Sequence, residues 1–262
     1  DIPYEVIVID NGSSQPPRTE DFAHLGLDLT VLYCTSGLPS PVDALNMGLA
    51  AARGSLICSI IDGARMPSPG LLAASVAAAG THARPIIYTA SLMLGFHPQF
   101  HAAKTGYTIE IEDRLLASID WPSDGYRLFE IANGLLDQPS LLQWYSPGFE
   151  TNALTMPRQI WDEVGGYDAN FQTDGGGYVS SDLFYRAAHL PDTQIIAIGG
   201  EATFHQMHEK SATAAHPNIA QQGRIMSREF QRLRARPPKA VRKPYWLFQT
   251  ATPPLLKRPT PG

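Results

Sequence analysis

Four nearly uninterrupted apolar stretches constrain this chain more than any other feature: "YEVIVID" (4–10), "LTVLYC" (29–34), "SLICSIID" (55–62) and "RPIIYTASLML" (84–94). Strands without polar alternation are buried on both faces, as in parallel sheets covered by helices. The segments between them carry helix punctuation. In "SPVDALNMGLAAARG" (40–54), Ser40 is placed as N-cap, Pro41 in the first turn and Gly54 at the end, with Val42, Leu45, Leu49 and Ala52 at helical spacing. "SPGLLAASVAAAG" (68–80) is a second helix, Ala-rich enough to pack closely on a sheet. Strands alternating with helices predict an α/β fold: an open, twisted, mostly parallel sheet with helices on both faces.

Beyond residue 95 the pattern loosens. A helix is expected over 107–119, a strand over 149–158, and a short helix over 158–168 stopped by Gly165–Gly166. A glycine-rich turn follows at 171–179, then a helix from Ser180 or Ser181 and a strand over 193–208 with a bulge at Gly199–Gly200. The segment 121–133 is ambiguous. Residues 1–210 therefore read as one α/β domain and 211–262 as a basic, proline-rich tail.

Charge is split between these parts. From Arg224 onward ten Lys/Arg accompany one acid, Glu229; that local +9 leaves −14 on the rest of a chain whose net charge is −5. An acidic body excludes a general nucleic-acid binder, whose reading face is basic. The tail starts as a helix with Ile225, Phe230 and Leu233 on an apolar side and ends at Pro237–Pro238. Two readings stand. The helix lies on an anionic membrane with "PYWLF" (244–248) at the interface, or it docks on the acidic body, which the charge split favours. No stretch approaches the roughly 18 apolar residues of a membrane span. Cys34 and Cys58 sit in strand-like contexts and read as free thiols, which fits a cytoplasmic protein.

Ligands of open α/β sheets bind at the carboxyl ends of strands. Asp10–Asn11 and Asp62 stand at such ends, and Arg65 follows Asp62 by three residues. A carboxylate ending a buried strand is costly unless something uses it. "DNGS" at 10–13 equally describes an Asx-turn closing the strand. Arg65 is either a fixed cation or a solvated turn residue. His205 and His208, in "FHQMH", are ligand candidates or the polar end of a strand.

"YEVIVIDNGSS", "ALNMGLAAARGSLICSIID", "MPRQIWDEVGGYDANF" and "SSDLFYR", in that order and spacing, resemble family-2 glycosyltransferases of the GT-A fold over residues 4–210. "DGARMPSPG" resembles a branch with Asp-Gly-Ala-Arg in place of the D-x-D motif. The resemblance implies a nucleotide-binding half (1–95), an acceptor and catalytic half (96–210), and a nucleotide-diphosphosugar donor. It implies inverting, hexosyl-type transfer to a glycan or lipid-linked acceptor hydroxyl. It further implies that Asp10 and Asn11 contact the nucleobase, and that Asp62 binds a divalent metal, Mn²⁺ or Mg²⁺, on the diphosphate. With one carboxylate of the motif lost, Arg65 and His205 are the expected supplements, as guanidinium and metal ligand. The family's Glu-Asp pair falls on Val179 and Ser180, so the base is expected from Asp182 or Glu150, with Asp174 behind them. Asp1 stands three residues before "YEVIVID", so relative to the family either the chain is a cropped segment or the strand–loop–helix unit that precedes that strand is missing. These losses also support a different class: a GT-A-like module that binds nucleotide, glycan or a protein without turnover. A nucleotidyl- or pyrophosphate-handling enzyme on a similar sheet is a third reading.

Overall fold

The computed structural model describes residues 2–61, 64–95, 106–133, 153–207 and 219–250. The expected strands form at β1 (Val6–Asp10), β2 (Leu29–Tyr33), β3 (Leu56–Ile60) and β5 (Pro85–Leu94), with a short β4 (Arg65–Pro67) between β3 and β5 in the chain. Helices α1 (Val42–Ala51) and α2 (Leu71–Ala79) lie between them. The second half adds α3 (Ile109–Ala117), α4 (Leu128–Ile131), β6 (Ala132–Asn133), β7 (Ala153–Pro157), α5 (Arg158–Val164), α6 (Val179–Ala188) and β8 (Gln194–His205). The tail contributes α7 (Ile219–Arg234) and β9 (Tyr245–Gln249).

The main sheet runs β3-β7-β5-β8-β4, with β6 beside β5 and β9 beside β8. β3, β5, β8 and β9 point the same way; β7 enters antiparallel between β3 and β5. The α/β class with a mostly unidirectional sheet stands. One arrangement differs from expectation: β1 pairs in parallel with β2 in a separate two-stranded sheet, not with β3. The two sheets meet through α1, whose Gly48 lets Ile9 of β1 approach to van der Waals distance.

Three apolar clusters make a layered core. Val42, Leu154, Met156, Trp161, Leu183, Phe184 and Phe230 fill the face under α1, α5, α6 and α7. Leu71, Ala74 and Ala78 of α2 cover Ile87, Ile196 and Ile198 on the opposite face. Leu92, Leu94 and Phe204 pack against Leu128 and Phe129 of α4 and Leu115 and Leu116 of α3. The expected bulge is present: β5 and β8 slip register after Thr89–Ile198, and pairing resumes at Ala90–Ala202. Thr89 Oγ1 donates to the carbonyls of Ile198 and Glu201, holding the bulge closed.

Two expected caps are corrected. Pro41, not Ser40, precedes α1, and the buried Ser40 hydroxyl donates to Phe171 O instead. Tyr178 precedes α6, so Ser180 and Ser181 lie inside its first turn. The tail helix docks on the body. Phe230 is buried in the core, and Glu229 accepts the N–H groups of Gln172 and Thr173. Tyr245–Phe248 of "PYWLF" lie in β9 and pair with Ile195–Ile198, with Trp246 and Leu247 exposed. Among the described residues no helix is long and apolar enough to cross a membrane.

Candidate active site at the strand ends

The carboxyl end of β8 collects the polar groups that the main sheet offers. Arg65 of β4 stands directly across from His205 of β8, and Ser91 of β5 across from Thr203. Register partners share a face, so Arg65, His205, Thr203 and Ser91 line one side of the sheet. Met66, Leu92 and Phe204 take the other side, in the core. Arg65 reaches over β8: its Nη1 donates to Ser91 Oγ at 2.6 Å and its Nε to Ile61 O at 3.1 Å. Both acceptors are neutral. These two bonds hold the guanidinium in a fixed direction. Beside it His205 is only 6% exposed. Asp62 and His208, the other groups expected here, lie outside the described residues, as do Glu150, Trp144 and Tyr145.

An acid that the sequence reading passed over braces this end. Glu112 of α3 is 2% exposed, and both carboxylate oxygens accept the Met207 N–H, at 2.9 and 3.0 Å. Tyr107 donates to the same carboxylate at 3.2 Å; burial first, then the Glu112 charge, pushes its hydroxyl well above the ordinary tyrosine range. Glu112 fixes the backbone two residues beyond His205. The signal was present in "IEIEDRLL": Glu112 precedes Leu115 and Leu116 by one helical turn, on the apolar face.

A second buried acid, Glu201, lies in the bulge. It accepts from Ser68 Oγ at 2.5 Å and from Tyr126 OH at 2.9 Å. Burial and this bond push the Tyr126 hydroxyl up to about 12. The cluster joins the turn before α2, the bulge and the segment ahead of α4. Tyr126 is thereby committed to Glu201, and Trp121 packs on the core.

Asp10 closes the turn after β1. It is 8% exposed, and its carboxylate accepts the N–H groups of Gly12 and Ser13 at 3.1–3.3 Å. The Ser13 hydroxyl, with these N–H groups, holds it below the usual carboxylate range against the opposing pull of burial. Asn11 is exposed and donates to the carbonyls of Leu38 and Ser40 at 3.4 and 3.5 Å. The pair is built as an Asx-turn on the small sheet; Arg65 and His205 belong to the large one.

Asp182 departs most from expectation. It is fully buried, and guanidinium groups engage both of its oxygens: Arg186 Nε at 2.7 Å, Arg234 Nε at 2.5 Å and Arg234 Nη2 at 2.8 Å. Arg234 also bonds Asp168 at 2.6 Å, and Arg186 donates to the carbonyls of Val164 and Gly166. A carboxylate so enclosed cannot reach an acceptor hydroxyl; it anchors α7 to α6. Asp174 is exposed in a short 3₁₀ turn.

The resemblance implies a divalent cation on Asp62 and His205; Asp62 lies outside the described residues, and of the two only His205 is described. A guanidinium occupies the position across from His205, and a fixed positive charge there repels a metal ion. Among the described residues no three His, Cys, Asp or Glu side chains come together to hold a metal.

No protein-family model matches the chain, and no curated protein sequence does. Solved structures with similar backbones include S. aureus TarS 1–349 in complex with UDP-GlcNAc, at 12% identity and a TM-score of 0.47, covering 87% of this chain and 57% of that one. Another is the mannosyltransferase PcManGT from Pyrobaculum calidifontis in complex with GDP-Man and Mn²⁺, at 16% identity and a TM-score of 0.49, covering 90% of this chain and 56% of that one. This chain thus spans a little over half the length of each.

Proposed function

We propose that this chain is the donor-binding domain of an inverting glycosyltransferase, which moves a hexosyl group from a nucleotide-diphosphosugar to a glycan or lipid-linked hydroxyl. The observation that carries the reading is Arg65. Its guanidinium is held by the Ile61 carbonyl and the Ser91 hydroxyl, beside His205, at the strand ends adjoining Asp62. The ordered set of sequence motifs supplies the reaction class. Arg65 neutralises the diphosphate as it leaves with the electron pair of the bond to the anomeric carbon. That bond breaks as the acceptor oxygen forms its own. Fixed charge aimed at a leaving group supplies a large share of such acceleration. With Asp182 enclosed, the acceptor proton passes to Glu150. Asp10 and Asn11 border the nucleoside, and Asp62 faces the diphosphate. No step is assigned to a metal.

The test is nucleotide release from a panel of UDP- and GDP-sugars, with Mn²⁺ and with EDTA. Release that persists in EDTA and falls about 10²–10³-fold in Arg65→Ala is expected, the loss seen on removing one preorganised charge-stabilising donor. Release that Arg65→Ala leaves untouched ends the arginine reading, and release abolished by EDTA restores the metal. The enclosure of Asp182, with Ser180 at the family's base position, favours the second reading: a module that binds donor without turnover. Saturable nucleotide-sugar binding with no release in any condition selects it.

A further inference from the structure

We propose that the outward face of α7 is an electrostatic docking surface for an anionic lipid bilayer. Helix periodicity divides α7 sharply. Gln222 and Phe230 are buried, Leu233 packs on the core, and Glu229 and Arg234 turn toward the body. Gln221, Arg224, Ile225, Arg228, Gln231, Arg232 and Ala235 are exposed, and at 3.6 residues per turn they fall within one arc of about 120°. The arc contains no acid. Arg224, Arg228 and Arg232 repeat every four residues along one line about 12 Å long, and none has an ion-pair partner among the described residues. Like charges at this spacing oppose the helix. The −14 body does not relieve them, because they point away from it. Exposed Lys239 and Arg242 extend the same charge beyond the helix.

The shape of the face selects the partner. A convex rod brings all three guanidiniums to a plane at once, whereas a polyanionic strand is held in a groove, and the arc has none. Ile225, 44% exposed, stands among the arginines and suits the headgroup boundary. A second copy of the chain is a poorer fit, since two copies carrying −5 each repel. The acidic body strengthens the orientation: an anionic surface attracts α7 and pushes the rest away. The apolar side of α7 stays in the core, so docking leaves the helix on the surface and inserts no segment. This inference does not depend on the activity proposed above.

The experiment is co-sedimentation of the full chain with phosphatidylcholine vesicles, with and without phosphatidylglycerol, at about 0.1 M salt. Binding only to the anionic vesicles is expected, weakening steeply as salt is raised. The variant R224Q/R228Q/R232Q removes three exposed cations that have no ion-pair partner among the described residues; an unchanged thermal midpoint confirms its integrity. Each basic residue near such a surface is worth about fivefold, so the variant loses on the order of 100-fold in partitioning. Four results overturn the proposal: no binding of the native chain to anionic vesicles, equal binding to neutral ones, native binding by the triple variant, or tighter binding to soluble heparin that displaces the vesicles. A salt-sensitive dimer without vesicle binding assigns the face to a second copy and overturns it equally.

Discussion

Replacing Arg234 by Met measures what holds the tail to the body. The substitution keeps an unbranched stem and deletes three charge-assisted bonds: two to Asp182, at 2.5 and 2.8 Å, and one to Asp168 at 2.6 Å. It also removes a cation that lies 5.1 Å from the Phe171 ring centroid. Stripping one partner from a buried pair costs about 3–5 kcal/mol, because the remaining charge stays in a low-dielectric site. Two features reduce that. Asp182 keeps Arg186, and Asp168 keeps the N–H and side-chain amide of Asn170. Water also reaches the Arg234–Asp168 end, where each side chain is about one-fifth exposed. The expected loss is therefore about 3 kcal/mol, or a midpoint lower by roughly 6–12 °C at 2–4 °C per kcal/mol for a domain of this size.

The assay is urea unfolding of the native chain, Arg234→Met, Asp182→Asn and the double variant. Direct bonding predicts a coupling energy above about 1 kcal/mol; independent sites add within about 0.5 kcal/mol. Arg234→Lys keeps the charge and loses the two-pronged fit, so it falls between native and Met. A loss below about 1 kcal/mol for Arg234→Met, or additive single variants, would falsify the anchor and return Asp182 to candidacy as a base.

Three further outcomes are expected. Asp168 has a pKa below the usual carboxylate value, because the Asn170 and Arg234 bonds outweigh the opposing pull of burial. Its stabilisation is therefore complete above about pH 4, the unfolded value, and is lost as pH falls through the lower folded one; stability against pH should lose part of its acid limb in Asp168→Asn. Glu201→Ala strands the buried hydroxyl of Ser68 and the half-buried one of Tyr126 and should cost about 2–4 kcal/mol by thermal unfolding, against about half that for Tyr126→Phe. Gly166 adopts φ +66°, and a Cβ there would lie 2.7 Å from Asn46 Oδ1, the acceptor for the Tyr167 N–H. Gly166→Ala should then cost about 2 kcal/mol or more by the same measurement, while Gly223→Ala, which meets nothing, should be neutral or stabilising.

Strands, helices and the bulge were legible because each rests on a local cause. Apolar runs bury, Gly165 stops α5 in a left-handed cap, and a Gly-Gly pair inside a strand breaks its register. Partner choice was not local. That β7 enters between β3 and β5, and that β1 joins β2 alone, depends on contacts far apart in sequence. The cap assigned to Ser40 failed for the same reason: its hydroxyl had a better acceptor 131 residues away, at Phe171 O. In the candidate site, Arg65 was readable as a cation three residues after Asp62, while Glu112 and Glu201 were hidden in segments taken for ordinary helix and strand. Asp182 was readable as an acid in the first turn of a helix, but its enclosure required Arg234, 52 residues later, in a tail treated separately.

Ion pairs hold both halves of the chain, with Arg53 on Glu5 and Asp28 in the first half. In the second half acids and arginines neutralise one another inside the fold: Asp182 with Arg186 and Arg234, Asp168 with Arg234, and Glu163 with Arg84. That chemistry is consumed in fixing α7 and the loop that Glu229 caps. In β4 the Arg65 guanidinium donates to a carbonyl and a hydroxyl, which set its direction. Any catalytic base must then come from outside the Asp182 network. Glu150→Gln in the nucleotide-release assay tests that directly: release should fall with donor binding intact, and a variant as active as the native chain rejects Glu150.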